Sequence, residues 1–173
     1  MKNQIIIRKA KVGDEKGIAS LMKEGIESKN WMYTGSRAIP DKKKIAKMKK
    51  DLCNKNSERF SFIAIDKENK KIVGSITASF KGNGRTRHRI DIGWGVHPEY
   101  QGKGIGTRLL KEILDYAKKQ GFKRAEAEMA IENEGSWKLA LKNRFKVEGK
   151  KKEALLTDDG RYIDTYIVGR KLK

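Results

Sequence analysis

The sequence predicts an α/β fold of the α+β type, with strands and helices in the order β-α-α-β-β-β-α-β-α-β-β. Segments whose apolar residues recur at the helical period are separated by shorter segments with strand patterning. The 173 residues contain no internal repeat, linker or low-complexity block. We therefore expect a single domain over residues 1–173.

The first elements are predicted to be one strand and two helices. Ile5–Lys9 is the strand, and Asp14 stands at the N-cap position of the first helix. Pro40 and Asp41 open the second helix, because proline is favoured at a helix start. The apolar residues of the two helices recur at helical spacing: Ile18, Leu21, Met22 and Ile26, then Ile45, Met48 and Leu52.

Three strands are expected next. Residues 60–66 and 72–80 are apolar, partly β-branched runs around a turn, which predicts a hairpin. Residues 89–96 form the third strand, which has one face of large residues and one that is nearly bare. The large face holds Ile90, Ile92, Trp94 and Val96, and the other holds Asp91, Gly93 and Gly95.

The remaining elements follow a glycine-rich loop. A helix with an apolar inner side is expected after the loop, and Gly121 ends it at a C′ position. A strand over 123–130, a short helix over 136–143 and two final strands, from 145 onward and over 162–168, complete the order. The inner side of the long helix holds Leu109, Leu110, Ile113, Leu114, Tyr116 and Ala117.

The chain is strongly basic, with 41 lysine and arginine residues against 22 aspartate and glutamate residues and a net charge of +19. Such a charge attracts polyanions, nucleic acid among them. The basic residues are spread along the chain and interleaved with apolar ones at helix or strand spacing. The basic residues could form solvated faces or a polyanion-binding surface, and both interpretations remain open. Nucleic acid or the ribosome therefore stays an alternative partner.

Cysteine content and hydropathy indicate the compartment. Cys53 is the single cysteine, so no intrachain disulfide can form. The histidine and carboxylate residues that a metal site would need do not cluster around it in the sequence. The apolar run at Ile5 is too short for a signal peptide, and no later stretch reaches the roughly 18–20 apolar residues of a membrane span. We expect a cytoplasmic protein with no metal and no membrane partner.

The chemical signal is the strand, glycine loop and helix start within residues 91–110. Gly102, Gly104 and Gly106 stand at alternate positions, which lets successive backbone N–H groups turn toward one point. The helix that begins there adds the positive end of its dipole. The loop is therefore suited to a pyrophosphate.

Two common phosphate loops do not fit. A Walker loop requires glycine where His97 stands. A dinucleotide-binding fingerprint requires its third glycine where Thr107 or Pro98 stands.

The segment matches the acyl-CoA pattern Q/R-x-x-G-x-G/A, and here the sequence resembles the GCN5-related N-acetyltransferase (GNAT) family. Residues 7–14 resemble the opening strand and helix of that family, and residues 133–149 resemble its closing motif. The serine in that motif and residues 159–164 are similar to the branch with ribosomal-protein N-terminal and small-amine acetyltransferases. The resemblance implies the GNAT fold, a mixed sheet with helices on both faces. The loop motif reads Gln101-Gly102-Lys103-Gly104-Ile105-Gly106, between Val96-x-Pro98 and Leu109-Leu110.

The resemblance also implies acetyl-CoA as cosubstrate and a set of residues that hold it. The backbone N–H near Val96 would polarise the thioester carbonyl, and the bare face of the preceding strand would admit the pantetheine arm. Trp31 and Tyr33 would line the acceptor pocket. The implied cofactor-binding residues are Trp94, Gly95, Val96, Gln101, Gly102, Lys103, Gly104, Ile105, Gly106, Thr107 and Asn133.

The catalytic residues are the least determined part of the prediction. Asp91 is the first candidate for the group that takes the proton of the amine, and a structural ion pair is the alternative. Glu126 and Glu128 on the next strand are reserve candidates, and the alternative for each is a solvated or salt-bridged residue. The family's usual tyrosine is replaced by Ala140, which leaves Ser136 to hydrogen-bond the leaving thiolate, with helix capping as the alternative.

Four further positions have a structural interpretation. Arg144 stands where the family usually has glycine, and Asn133 could serve only its own turn instead of a cofactor amide. His88 and His97 are expected at the surface.

We therefore expect an acetyl-CoA-dependent N-acetyltransferase that acts on a primary amine, either a small molecule or a protein N-terminus. The alternative is a basic CoA-binding protein of the same fold that binds ribosome or nucleic acid without catalysis. A homodimer is an expectation from the family.

Overall fold

The computed structural model describes residues 4–28, 35–54, 57–80 and 84–173. Their strands and helices follow the predicted order, which confirms the fold class. The strands are β1 (Ile5–Lys9), β2 (Arg59–Asp66), β3 (Ile72–Ser79), β4 (Arg89–Val96), β5 (Arg124–Ala130), β6 (Lys146–Leu156) and β7 (Tyr162–Lys171). The helices are α1 (Glu15–Glu27), α2 (Lys42–Cys53), α3 (Ile105–Lys119) and α4 (Glu134–Lys142), with short 3-10 turns at Ser36–Ala38, Gly84–Thr86 and Pro98–Tyr100.

The strands form one mixed sheet in the order β1-β2-β3-β4-β5-β7-β6. Neighbouring strands are antiparallel except β4 and β5, which are parallel. Parallel pairing requires a long crossover, and α3 supplies it. The start of α3 therefore lies just beyond the carboxyl end of β4.

The larger hydrophobic core lies between α3 and the sheet. Leu109, Leu110 and Ile113 of α3 are fully buried, as their helical spacing predicted. Gly74 of β3 permits close packing, since a Cβ there would lie 3.0 Å from Leu109 Cδ1. The absence of a side chain at Gly74 therefore lets α3 lie close to the sheet.

The opposite face of the sheet carries α1 and α2 over a smaller core. Ala10, Leu21, Ile63 and Ile72 form that cluster, with Leu52 of α2 packed beside it. Helices thus cover both faces, as expected from the resemblance.

The start of α1 differs from the expected N-cap. Asp14 is in place, but its carboxylate accepts hydrogen bonds from Arg8 at 2.7 and 2.8 Å and from the Lys11 N–H at 2.8 Å, and none from the first turn of α1. Burial raises the pKa of Asp14, but the hydrogen bonds outweigh it and hold the pKa below its ordinary value. The residue fastens α1 to β1 instead of capping the helix.

Two other helix starts lie earlier than expected. α3 begins at Ile105, so Gly106 belongs to its first turn and not to the loop. α4 begins at Glu134, because Asn133 Oδ1 caps it by accepting from the Ser136 N–H at 3.1 Å. Among the described residues, no helix is long and apolar enough to cross a membrane.

Candidate active site

The sheet opens between β4 and β5. Their ladder pairs only three positions, from Arg89 with Arg124 to Asp91 with Glu126. Beyond this point β5 continues its pairing with β7, while β4 diverges from β5 with its edge toward the gap. An extended ligand could pair with that free edge, which is what the bare strand face led us to expect.

A cavity of about 1170 Å³ fills this opening. It extends from the glycine loop, past the free edge of β4, to the inner sides of α1 and α2. The lining residues named in the prediction are Asp91, Trp94, Gly95, Val96, Gln101, Gly102, Gly104, Ile105, Gly106, Thr107, Asn133 and Ser136. Lys103 is not among them, and its Nζ lies 4.9 Å from the centre of the Tyr100 ring.

Two glycines of the loop have left-handed backbone conformations, with φ of 73° at Gly102 and 76° at Gly104. Gly104 is also the N-cap residue of α3, so the first N–H groups of that helix lack helical partners and face the end of the cavity. Gln101 fastens the loop to β4, because its Nε2 donates to the Val96 carbonyl at 3.1 Å. Unpaired N–H groups and the helix dipole make this end chemically suited to phosphate groups.

The structure shows why a side chain is disfavoured at position 106, which the sequence did not reveal. A Cβ at Gly106 would lie 2.7 Å from Leu139 Cδ2 of α4. The glycine therefore lets α3 and α4 approach each other on one side of the cavity.

The cavity also has free donors of the kind that an amide-containing ligand needs. Trp94 Nε1 is buried and has no hydrogen-bond partner among the described residues. Asn133 uses its oxygen to cap α4, which leaves its amide nitrogen available. Gly93 has open space where a side chain would stand. These features fit a pantetheine arm, whose amides both donate and accept.

The three candidate carboxylates differ in their partners. Glu126 is bound by Arg124 at 2.6 Å and by Arg89 at 3.3 Å. Glu128 accepts from Lys151 and from the Thr165 hydroxyl, both at 2.7 Å. Asp91 is exposed at the point where the β4–β5 ladder ends.

These contacts have electrostatic consequences. Burial raises the pKa of Glu128, but its hydrogen bonds to Lys151 and Thr165 outweigh this and lower the pKa. Asp91 has no ion pair or hydrogen bond with the part of the chain that the structure describes. Of the three carboxylates, Asp91 is therefore the one whose lone pairs are free to accept a proton.

The helix α4 brings Ser136 to the cavity. Its N–H is held by Asn133, so Ser136 is not the capping residue, and its hydroxyl has no partner within the described ranges. Ala140 is fully buried in the main core and lies away from the cavity lining. Arg144 has a left-handed backbone with φ of 62°, which explains why glycine suits that position.

Tyr100 is a cavity residue that sequence reasoning missed. Its hydroxyl donates to Asp66 at 2.7 Å, and this hydrogen bond is the largest factor that raises the pKa of Tyr100. Asp66 itself is only 1% exposed. The tyrosine is thus held in place by its hydroxyl, and its position directly before Gln101 was the one sequence clue.

His97 contradicts the expectation of a surface residue. It is only 8% exposed, and Nε2 lies 2.8 Å from Glu24 of α1. The imidazole is buried because this carboxylate satisfies it. His88 is exposed, as predicted, with Nδ1 3.1 Å from the Arg85 carbonyl.

The far end of the cavity is lined by α1 and α2. Trp31 and Tyr33, which were expected there, lie outside the described residues. The described lining combines apolar side chains with the Asp51–Arg59 ion pair, whose nearest atoms are 3.6 Å apart. The apolar residues are Ile18, Met22, Met48 and Leu52.

Comparison with known families and proteins gives consistent results. The family described as acetyltransferase (GNAT) family matches residues 25–145. The uncharacterized N-acetyltransferase p20 of Bacillus licheniformis is 31% identical over 116 residues, which cover 64% of this chain and 60% of p20. The L-amino acid N-acyltransferase MnaT of Escherichia coli K12 is 31% identical over 106 residues, 59% of each chain. The chain thus spans about three fifths of the length of these two relatives, and 18% of an uncharacterized N-acetyltransferase of Methanocaldococcus jannaschii that is 42% identical over 41 residues.

Two solved structures illustrate the similarity in fold. A phosphinothricin acetyltransferase of the GNAT superfamily from Sinorhizobium meliloti, in complex with acetyl-CoA, superposes with a TM-score of 0.83 at 24% identity, over 97% of this chain and 88% of its own. The ribosomal-protein-S5-alanine acetyltransferase from Vibrio fischeri superposes with a TM-score of 0.80 at 26% identity, over 100% of this chain and 95% of its own.

Proposed function

Because the chain belongs to the GNAT family of acetyltransferases, we propose that it transfers the acetyl group of acetyl-CoA to a primary amine by direct attack on the thioester. Family membership is what the comparison establishes, and the activity, the cosubstrate and the acceptor are what the proposal adds. One observation carries the proposal. The β4–β5 ladder ends at Asp91 and Glu126, and the resulting opening leads directly to the glycine loop.

The diphosphate of acetyl-CoA would bind at the start of α3. Successive N–H groups from Gly102 to Thr107 would donate to its oxygens, aided by the helix dipole, whereas the Gln101 N–H already donates to the Pro98 carbonyl. The pantetheine arm would pair with the free edge of β4, near the unpartnered Trp94 Nε1 and the side-chain amide of Asn133. Acetyl-CoA supplies the activated acyl group, and the chain supplies orientation and proton transfer.

The acetyl carbonyl would lie near the end of β4. There the Val96 N–H is suited to stabilise the negative charge that develops on the carbonyl oxygen. The tie from Gln101 to the Val96 carbonyl supports this role, because it fixes the orientation of that part of the backbone.

Asp91 is the proposed proton acceptor. A primary amine is mostly protonated at neutral pH and must lose a proton before it can attack. Asp91 lies at the cavity and has no cation beside it within the described residues, and it stands five residues, roughly 16 Å of extended strand, before Val96. Its carboxylate would therefore take the proton through a relay of water molecules. As the new amide bond forms and the carbon–sulfur bond breaks, the Ser136 hydroxyl would hydrogen-bond the departing thiolate.

The acceptor class is a primary amine, on a small molecule or a protein N-terminus. Both possibilities have support from relatives, since MnaT is named an L-amino acid N-acyltransferase and the Vibrio fischeri protein a ribosomal-protein-alanine acetyltransferase. The apolar side chains from α1 and α2 favour an acceptor with an apolar group near its amine. We further propose that residues 1–173 form one domain, since a single sheet contains the first and last described strands.

The test is release of CoA thiol from acetyl-CoA in the presence of an amine panel of amino acids, short peptides and polyamines. We expect amine-dependent thiol release with at least one class and the acetylated amine as product, detected by mass spectrometry. Saturable CoA binding without any thiol release would instead support the alternative, a CoA-binding protein without catalysis.

A further inference from the structure

A polar cluster between α1 and the glycine loop, outside the cavity lining, consists of the buried His97 and the half-buried Glu24 and Lys71. His97 Nε2 is 2.8 Å from Glu24 Oε2, and the same oxygen accepts from Lys71 Nζ at 2.7 Å. The other carboxylate oxygen of Glu24 accepts from the Ser20 hydroxyl at 2.9 Å. The hydrogen bond from Lys71 is the largest factor that lowers the pKa of Glu24. The Glu24 carboxylate is therefore held in its charged form, with one oxygen beside the imidazole.

The contacts of the ring determine its tautomer. Nδ1 accepts a hydrogen bond from the Glu99 N–H at 3.3 Å, so it must carry a lone pair. Nε2 then carries the proton and donates it to Glu24. The 3.4 Å approach of Lys71 Nζ to Nε2 fits this assignment, because Lys71 directs its hydrogen bond to Glu24 instead. The opposite tautomer would place two N–H groups against each other at Glu99.

The neutral ring thus makes two connections at once. Through Nδ1 it caps the Pro98–Tyr100 turn, which leads directly into Gln101 and the glycine loop. Through Nε2 it ties that turn to α1, whose Ile18 and Met22 line the far end of the cavity. The edge of the imidazole also contacts the ring of Tyr100, with centroids 5.7 Å apart.

We propose that His97 is a positioning residue that holds the glycine loop in its binding geometry against α1, and that it does so only as the neutral imidazole. This inference rests on the proposed function insofar as the loop binds the phosphates of acetyl-CoA. Protonation would put a hydrogen on Nδ1, opposite the Glu99 N–H, and so remove the cap while leaving the tie to Glu24. Affinity for CoA should therefore fall as the pH falls.

Charged groups on the neighbouring elements lie around this imidazole. Glu24 of α1 and Lys71, directly before β3, lie at Nε2, and Glu99 belongs to the turn that Nδ1 caps. Asp66 of β2 is connected to the ring through Tyr100.

Two substitutions separate the two connections. In H97N the amide oxygen can take the place of Nδ1 and keep the cap, but the tie to Glu24 is lost. In H97Q the amide nitrogen can reach the position of Nε2 and keep the tie, but the cap is lost. Neither side chain titrates. H88N, at the exposed histidine, is the matched control.

CoA affinity is measured by calorimetry from about pH 7.5 to about pH 5.5. At the higher pH each variant should bind CoA about fivefold more weakly than wild type, the equivalent of one hydrogen bond. The ratio of the Kd of H97Q for CoA to that of wild type should fall toward one as the pH falls, because the protonated wild-type protein has lost the same cap. H88N should follow wild type throughout. Wild-type affinity in both variants at pH 7.5, or a ratio for H97Q that does not change with pH, would overturn the proposal.

A second measurement does not need the ligand. In the free wild-type protein, the amide NMR signal of Glu99 should titrate together with the His97 ring, and this titration should be absent in H97Q. A Glu99 signal that stays constant while the ring titrates would contradict the role of His97. If CoA does not bind to wild type at all, the proposed function fails, and this titration still decides whether His97 holds the turn.

Discussion

At the residue scale, the carboxylates at the cavity differ in what neutralises them. Glu126 and Glu128 each have a cation within 2.7 Å, whereas Asp91 has none among the residues that the structure describes. A paired carboxylate is a poor base, because the cation stabilises its charged form. We therefore propose Asp91, and not Glu126 or Glu128, as the proton acceptor in this cavity.

Replacement of Asp91 by asparagine tests this assignment. D91N should lower kcat by about 10²–10⁴-fold, the usual contribution of a general base, while the Kd for CoA stays unchanged. The rate of thiol release and calorimetry with CoA measure the two effects. E112Q, an exposed carboxylate on α3, is the control. A D91N enzyme with the wild-type rate would move the role to another group.

At the element scale, the junction of β4 and α3 depends on backbone conformation. Gly104 has a φ of 76°, and open space surrounds the position of a Cβ. A side chain there would strain the backbone and project toward the phosphate site. Gly121, at the other end of α3, has a φ of 88° and equally open space, but no ligand role.

The pair G104A and G121A separates strain from binding. Both substitutions should lower the free energy of unfolding by about 1 kcal/mol, because alanine tolerates positive φ poorly. G104A alone should weaken CoA binding, by tenfold or more in our estimate of about 1.4 kcal/mol. Urea denaturation and calorimetry measure the two quantities. Equal CoA affinity in the two variants would show that the loop does not hold the phosphates.

The Arg8–Asp14 pair joins β1 to α1 and gives a prediction about pH. Because the pKa of Asp14 is lowered on folding, its contribution to stability is present above the unfolded value of about 3.9 and disappears as the pH falls through the folded value. D14N should lower the free energy of unfolding at pH 7 by roughly 1–3 kcal/mol, and by much less near pH 2. Urea denaturation at both values checks this. An equal loss of unfolding free energy in D14N at both pH values would contradict this prediction.

Much of the element order was predictable, because each helix and strand carries its own apolar period. The turn of the loop was likewise predictable from Gly102 and Gly104, whose backbones are left-handed, and its binding of phosphates stays a prediction. The contact of Glu126 with Arg89, and those of Glu128 with Lys151 and Thr165, were not predictable, since these partners come from β4, β6 and β7 through long-range pairing. The shortest ion pair of Glu126 is local, because Arg124 precedes it by two residues on β5. His97 was misjudged for the same reason: its partner Glu24 lies 73 residues earlier in the chain.

At the scale of the whole molecule, the net charge of +19 surrounds a cavity that contains several carboxylates. Dispersed positive charge raises the local concentration of a polyanion such as CoA, and salt screens this effect. The Kd for CoA should therefore rise steadily from about 50 mM to about 500 mM salt. Acetyl-pantetheine, which lacks the phosphates, serves as the comparison ligand in the same calorimetric series. An equal salt dependence for both ligands would mean that the charge does not act through the phosphates.

The central claim is that the gap between β4 and β5, together with the start of α3, holds acetyl-CoA. An amide NMR titration of the protein with CoA tests it most directly. The account predicts the largest shifts at Gly102, Gly104 and Thr107 around the diphosphate, and at Gly93 and Val96 along the free strand edge. Shifts confined to other parts of the sheet, or none at saturating CoA, would contradict it.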